Sequence, residues 1–270
     1  MMKFLLFLFI AFLLGACQQS TTQEEITEII TDEKLVTDSI FEENEIPLQE
    51  SKTVDSIPNK TGYGRPKRVI DCLSEYHSHV EKFPHHAMVS LKEYIPGIYI
   101  DLRYAHYGNV FKEVLYTQGE AYLNIKAAEA LKRVQEEVSK DGYELVIWDA
   151  YRPYSVTVKM WDLVRDARYA ATPEKGSRHN RGMAVDITLK YKNGDYVEMP
   201  TDFDDFSKKA SPLHQNISAK AKVNRDYLIS KMYKHGFKVL NSEWWHFDYQ
   251  NWYTVPIMDI PLEKMSEIKP

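Results

Sequence analysis

Ser177-Arg178-His179-Asn180-Arg181-Gly182-Met183-Ala184-Val185-Asp186-Ile187-Thr188-Leu189 is the stretch on which the reading of this chain turns. Its second half alternates as a β-strand does. Val185, Ile187 and Leu189 fall on one side, and Ala184, Asp186 and Thr188 on the other, so one face of the strand is polar. His179 precedes Asp186 by seven residues, and Gly182 between them lets the backbone turn.

Outward from this strand, helix and strand signals alternate. Asn124 caps a helix that carries Ala127, Leu131, Val134 and Val138 on one face and stops at Gly142. Tyr143 to Trp148 (YELVIW) then reads as a buried strand. Tyr151-Arg152-Pro153-Tyr154 forms a turn into a second helix, expected over 155–168. Downstream, a third helix is expected over about 219–235, with Ala221, Leu228 and Met232 inward and Gly236 as its stop. Phe237–Leu240 and Trp245–Tyr249 follow as a hairpin or as adjacent strands. The order predicts one α+β domain with a central antiparallel sheet flanked by helices, and no internal repeat.

His179, Asp186 and His246 are the residues with chemistry to offer. Two neutral imidazoles and a carboxylate suit a zinc ion, and three protein ligands leave a fourth position open, the catalytic rather than the closed structural arrangement. Spacing alone is weak support, since a chain with nine histidines produces some such pair by chance. Glu243 stands three residues before His246, where it would serve as the base for an attacking water. On a regular strand residues 243 and 246 point to opposite faces, so that role requires a bend or bulge near Trp244. Otherwise Glu243 is a surface carboxylate beside two core tryptophans. Arg152 is held extended by Pro153; it reads equally as a stabiliser of negative charge on a reacting carbonyl and as a structural partner of Asp149. His77, His79, His85 and His86 read as surface imidazoles, and His235 as a cation suited to a helix C-terminus.

Composition bounds the rest. The chain has 270 residues, 44% hydrophobic and 27% charged, which excludes collagen-like and multi-span membrane classes. A net charge of -5 excludes a protein that lives on nucleic-acid phosphates. That charge is unevenly spread. Gln18–Gly62 holds 11 acidic residues and three lysines, hence -8, whereas 63–270 holds 30 basic and 28 acidic residues, hence +2. The acidic segment lacks the apolar area to fold, so residues 17–75 are expected to be a solvated tether ahead of a domain at 76–270. Residues 1–16 read as an export signal, too short in its apolar run to span a membrane. Leu14-Gly15-Ala16-Cys17 resembles a bacterial lipobox, which makes Cys17 the expected lipid anchor and the protein an exported one, held to a bacterial membrane through that lipid only.

The run Ser177–Asp186 together with Glu243-Trp244-Trp245-His246 resembles the signature of the zinc D-alanyl-D-alanine dipeptidases of the VanX type, kin of the D,D-carboxypeptidases. Asp101–Ala105, Trp148–Pro153, Phe203-Asp204 and the segment from Asn224-Arg225 to Gly236-Phe237 extend it over roughly residues 90–255. The resemblance implies one zinc per chain on His179, Asp186 and His246, Glu243 as general base and then acid, and Arg152 at the tetrahedral intermediate. It further implies substrate recognition by Ser177, Asp204 and Tyr104, with Ser177 and Asp204 at the free ammonium group of D-Ala-D-Ala. Asp205 adjoins Asp204, which leaves open which carboxylate meets the amine. His106 stands where a threonine is common, a departure from the pattern. Resistance-type members act on a cytoplasmic dipeptide, so an exported chain points to turnover of wall peptides instead. A D,D- or L,D-carboxypeptidase trimming peptidoglycan stems, and a non-catalytic zinc-bearing wall-binding lipoprotein, are the alternatives.

Overall fold

The computed structural model describes residues 64–268, so the expected signal peptide, Cys17 and the part of the expected tether up to residue 63 lie outside the described residues. In chain order the elements are β1 (Val69–Ile70), α1 (Leu73–Lys82), β2 (Met88–Ser90), α2 (Leu91–Tyr94), β3 (Tyr99–Ile100), β4 (Tyr122–Asn124), α3 (Ile125–Lys140) and β5 (Tyr143–Asp149). They continue with α4 (Tyr154–Val164), β6 (Ala184–Tyr191), α5 (Ala219–Lys234), β7 (Phe237–Leu240), β8 (Glu243–Tyr249), β9 (Ile257–Met258) and α6 (Leu262–Met265).

The expected core helix forms because Asn124 accepts a hydrogen bond from the Lys126 N–H at 2.9 Å and because Ala127, Leu131, Val134 and Val138 are all fully buried. This helix, α3, packs on β5, and α5 packs on β7 and against α3, so the two long helices lie together on the sheet. Helix α4 ends four residues earlier than the expected 168, because Arg165 enters the left-handed region at φ 47° and closes the last turn by donating to Trp161 O.

The central sheet has the order β3-β5-β6-β8-β7. β5, β6, β8 and β7 pair antiparallel as expected, but β3 joins the edge parallel to β5, making the sheet mixed. Two residues long, β3 carries too little alternation to be read from sequence. The folded part also begins before 76: β1 pairs with β9, and Ile70 is fully buried. His79 and His86 are buried rather than on the surface, their Nε2 and Nδ1 atoms 2.9 Å apart. Helix α1 and the turn after it fold these two imidazoles against each other and Phe83, which a polar sequence context does not reveal.

Two irregularities in the sheet set the site. Ile147 pairs with Ile187, yet Asp149 pairs with Asp186, so Trp148 is an inserted residue. Without it Asp149 would share the face of Val185, opposite to Asp186. Asp186 in turn pairs with His246, so Asp149, Asp186 and His246 form one row across β5, β6 and β8 on a common face. On the far side Val239 pairs with Phe247 and the next residue, Leu240, with Glu243, which is the bend expected near Trp244.

Gly182 closes the turn into β6 at φ +60°, with its carbonyl accepting from the Asn124 N–H at 2.9 Å. A Cβ there would collide with Met88 Cε and stand 3.1 Å from Asn124 N. Gly182→Ala is expected to cost about 1–3 kcal/mol, read by urea unfolding; an unchanged midpoint would contradict the close packing.

Candidate metal centre and cavity

His179 owes its aim to a reciprocal cap. Ser177 Oγ accepts from the His179 N–H at 3.2 Å, and Asn180 Oδ1 accepts from the Ser177 N–H at 2.6 Å. The Asn180 amide then donates to Arg152 O and Thr157 Oγ1, both at 2.8 Å, pinning this turn to the start of α4. With His179 fixed from the loop, Asp186 from β6 and His246 from β8, three donor atoms converge. His179 Nε2 lies 3.1 Å from His246 Nδ1 and 3.4 Å from Asp186 Oδ1, and His246 Nδ1 lies 2.9 Å from that same oxygen. Around a tetrahedral ion with bonds of about 2.0–2.1 Å, donors stand about 3.3 Å apart. The triad fits that spacing.

The outer nitrogens make the fit chemical as well as geometric. His179 Nδ1 lies 2.8 Å from Ala150 O, an acceptor only, so the proton sits there and Nε2 keeps a lone pair facing inward. His246 Nε2 lies 3.0 Å from Asp248 Oδ1, which frees Nδ1 in the same way. Asp248 is itself paired with Arg178. All three donor residues are buried, and burial alone would raise the Asp186 carboxyl; the two imidazoles instead hold it well below the usual carboxylate range. The residues present therefore fit a divalent ion with one open coordination position.

The triad opens on a cavity of about 510 Å³ that also receives Tyr104, Arg152, Ser177, Asp204 and Glu243. All eight residues singled out in the sequence thus meet in one place. Burial pushes the Glu243 carboxyl up to about 6, opposed by His246 and helped by Asp186; its Oε2 stands 4.0 Å from His246 Nδ1. A carboxyl tuned towards neutrality next to a metal centre suits proton transfer in both directions. Arg152 pairs with Asp149, one of the two roles open to it: its Nε and Nη2 donate to Asp149 Oδ2 at 3.0 and 2.5 Å, while its guanidinium carbon sits 5.2 Å from the Tyr104 ring and the residue lines the cavity. The Tyr104 hydroxyl reaches Asp204 at 3.1 and 3.2 Å. Burial, with Asp186 and Glu243 nearby, raises the Asp204 carboxyl well above its ordinary value. Asp205 accepts from the Ser207 N–H in a turn, so Asp204 is the carboxylate that faces the cavity.

Sequence reasoning missed Asp248, Arg178 and Trp252. Asp248 had a signal, since residue i+2 on a strand shares the face of His246. The Arg178 and Arg181 guanidinium carbons stand 4.8 and 5.5 Å from the Trp252 ring across the cavity rim, a contact between distant segments that no local pattern announces. Asp248→Asn is expected to weaken metal binding about 10–100-fold in a chelator competition without unfolding the chain; unchanged affinity would contradict the role given to that hydrogen bond.

Comparison with known proteins is consistent with this geometry. Residues 85–261 match the Peptidase M15 family, described as D-ala-D-ala dipeptidase. The chain is 32% identical over 171 residues to the D-alanyl-D-alanine dipeptidase of Escherichia coli (strain K12), covering 63% of this chain and 89% of the relative. It is 29% identical over 178 residues to the D-alanyl-D-alanine dipeptidase of Enterococcus faecium, covering 58% and 88%. A solved LD-carboxypeptidase, LdcB, is similar at 21% identity and a TM-score of 0.34 over 64% of this chain and 78% of that one, a likeness too loose to inform the chemistry.

Proposed function

The chain belongs to the Peptidase M15 family of D-Ala-D-Ala dipeptidases, and on that premise we propose that it hydrolyses D-Ala-D-Ala to free D-alanine with one zinc ion on His179, Asp186 and His246. The observation that carries the reading is the meeting of a metal triad, a carboxyl pushed up to about 6 and the hydrogen-bonded Tyr104–Asp204 pair in one cavity. When bound, zinc supplies a Lewis acid and brings the pKa of a coordinated water towards 7.

The chain's own residues do the rest. Glu243 takes the proton of the attacking water and returns it to the departing amine. Arg152, held on one edge by Asp149, presents its remaining N–H groups to the carbonyl oxygen as negative charge grows there. Asp204, set by the Tyr104 hydroxyl, and Ser177 receive the free ammonium of the dipeptide through charge-assisted hydrogen bonds. An acylated amine forfeits that bond, which favours a dipeptide over a stem peptide.

The substrate pool lies outside the cytoplasm in this reading. The apolar run before Leu14-Gly15-Ala16-Cys17 supports export and a lipid on Cys17, and the acidic segment after it supports a tether that lets the domain reach soluble wall fragments. Nucleic acid has no part in it.

Glu243→Ala is expected to retain zinc by metal analysis yet lose turnover on D-Ala-D-Ala by about 10²–10⁴-fold or more, whereas His246→Ala loses both. Near-normal turnover in Glu243→Ala would remove the base assignment. Wild-type protein expressed in bacteria is expected to incorporate labelled fatty acid and partition into detergent, and Cys17→Ala to do neither; an unlabelled wild type contradicts the anchor.

A further inference from the structure

The histidines at the start of the folded part take no part in the metal centre. His77 and His85 are exposed, but His79 on α1 and His86 on the turn after it are 8% and 6% exposed, with His79 Nε2 2.9 Å from His86 Nδ1. Only one proton fits between those two nitrogens. The rings lie against each other at 5.1 Å, and both pack on Phe83, at 5.0 and 5.5 Å. His86 Nε2 is buried without a hydrogen-bond partner among the described residues. The charges that bear on the pair are cationic: Arg68, ahead of β1, and Lys82, at the end of α1, act on His79, and His85 acts on both rings. No carboxylate answers them. On α1, Glu75 lies 3.6 Å from Arg68, and Glu81 is exposed two residues past His79, on another face of the helix. On α3, which packs against the turn, Glu129 pairs with Lys126 at 3.1 Å.

Residues 85–261 match the family, so His79 stands ahead of the matched part and His86 at its start. From that turn a short run of hydrogen bonds leads to the site. His85 O accepts from Asn124 Nδ2 at 3.0 Å, Ala87 O accepts from the Ile125 N–H at 2.8 Å, and the Asn124 N–H donates to Gly182 O at 2.9 Å. The Tyr76 hydroxyl on α1 accepts from the Met88 N–H at 2.8 Å, and Met88 packs where a Cβ on Gly182 would stand. We infer that the His79–His86 pair is an acid-sensitive latch: proton uptake by the two rings parts α1 from residues 84–88 and loosens the hold of Asn124 on the turn that carries His179.

The direction follows from burial, which lowers both imidazoles, His86 to about 4, with the surrounding cations acting in the same sense. The closed form resists protons that the open form accepts near the ordinary value of 6.5. The latch is therefore closed above that value and weakens as pH falls towards 4, the opening constant growing by up to about tenfold per pH unit for each proton taken up. None of this depends on which peptide the site cleaves.

Amide hydrogen exchange, read residue by residue by NMR on the zinc-loaded full chain and corrected for the intrinsic rate, tests the latch. Turnover is not the readout, because the Glu243 carboxyl, at about 6, has an acid limb of its own. Between about pH 7 and about pH 5, the opening constant of the wild-type α1 amides is expected to rise about tenfold or more, with the Asn124 and Ile125 amides following. The double variant His79→Phe, His86→Phe keeps two packed rings without ionisable nitrogens and is expected to lose that rise. Exchange at α1 that is equal at the two pH values, or that rises as steeply in the double variant, overturns the latch. Opening of α1 that leaves Asn124 and Ile125 protected overturns its link to the site. Where the double variant fails to fold, the wild-type imidazole proton resonances decide: midpoints of both rings well below 6.5 uphold the latch, and midpoints at that ordinary value overturn it.

Discussion

Burying the Asp186 carboxylate at the centre of a sheet is the constraint that organises this molecule. A lone ionised carboxylate at 3% exposure would be prohibitively costly, and the structure meets it with two imidazoles whose outer nitrogens are already hydrogen-bonded. Ala150 O and the Asp248 carboxylate fix which nitrogen of each ring faces inward. What remains is a pocket of three electron-pair donors, from the loop before β6, from β6 and from β8, whose lone pairs point at one another. A divalent ion is the partner that such a set accommodates.

Everything around the triad serves its geometry. The inserted Trp148 turns Asp149 onto the shared face, where its carboxylate receives the Tyr116 hydroxyl at 2.5 Å and anchors Arg152. The looped segment of β8 brings Glu243 to the same cavity as His246, although three residues separate them. These irregularities carry tryptophans: Trp244 and Trp245 are buried, and Trp244 Nε1 donates to Thr201 Oγ1 at 2.9 Å, so the bend is locked by packing and not left to a loop. Helices α3 and α5 cover the sheet and supply the stiffness on which placement of reacting groups within about half an ångström depends.

Much of this is legible in the sequence because the signals are strong and local. The 3.6-residue spacing of Ala127, Leu131, Val134 and Val138 and the Asn124 cap give α3 directly, and the alternation from Ala184 to Leu189 gives β6. The eight site residues are readable largely because two motifs, Ser177–Asp186 and Glu243–His246, concentrate unusual chemistry in short runs. What escapes a sequence reading depends on pairing across distance. The parallel edge strand β3 is two residues long, the burial of His79 and His86 follows from a fold-back of α1, and the contacts of Arg178 and Arg181 with Trp252 join segments far apart in the chain. The tryptophan-lined bend near residue 244 is foreseeable only as a requirement of Glu243 chemistry, since no propensity signals it.

Catalysis by this chain requires that His179, Asp186 and His246 converge on one ion. X-ray absorption at the zinc K-edge, on protein loaded with a single equivalent, reads that environment directly. The expected spectrum has a nearest shell of nitrogen and oxygen at about 2.0–2.1 Å, the outer-ring scattering of two imidazoles and no sulfur. A six-oxygen shell, a single imidazole, or a protein that releases its zinc on simple desalting would contradict it.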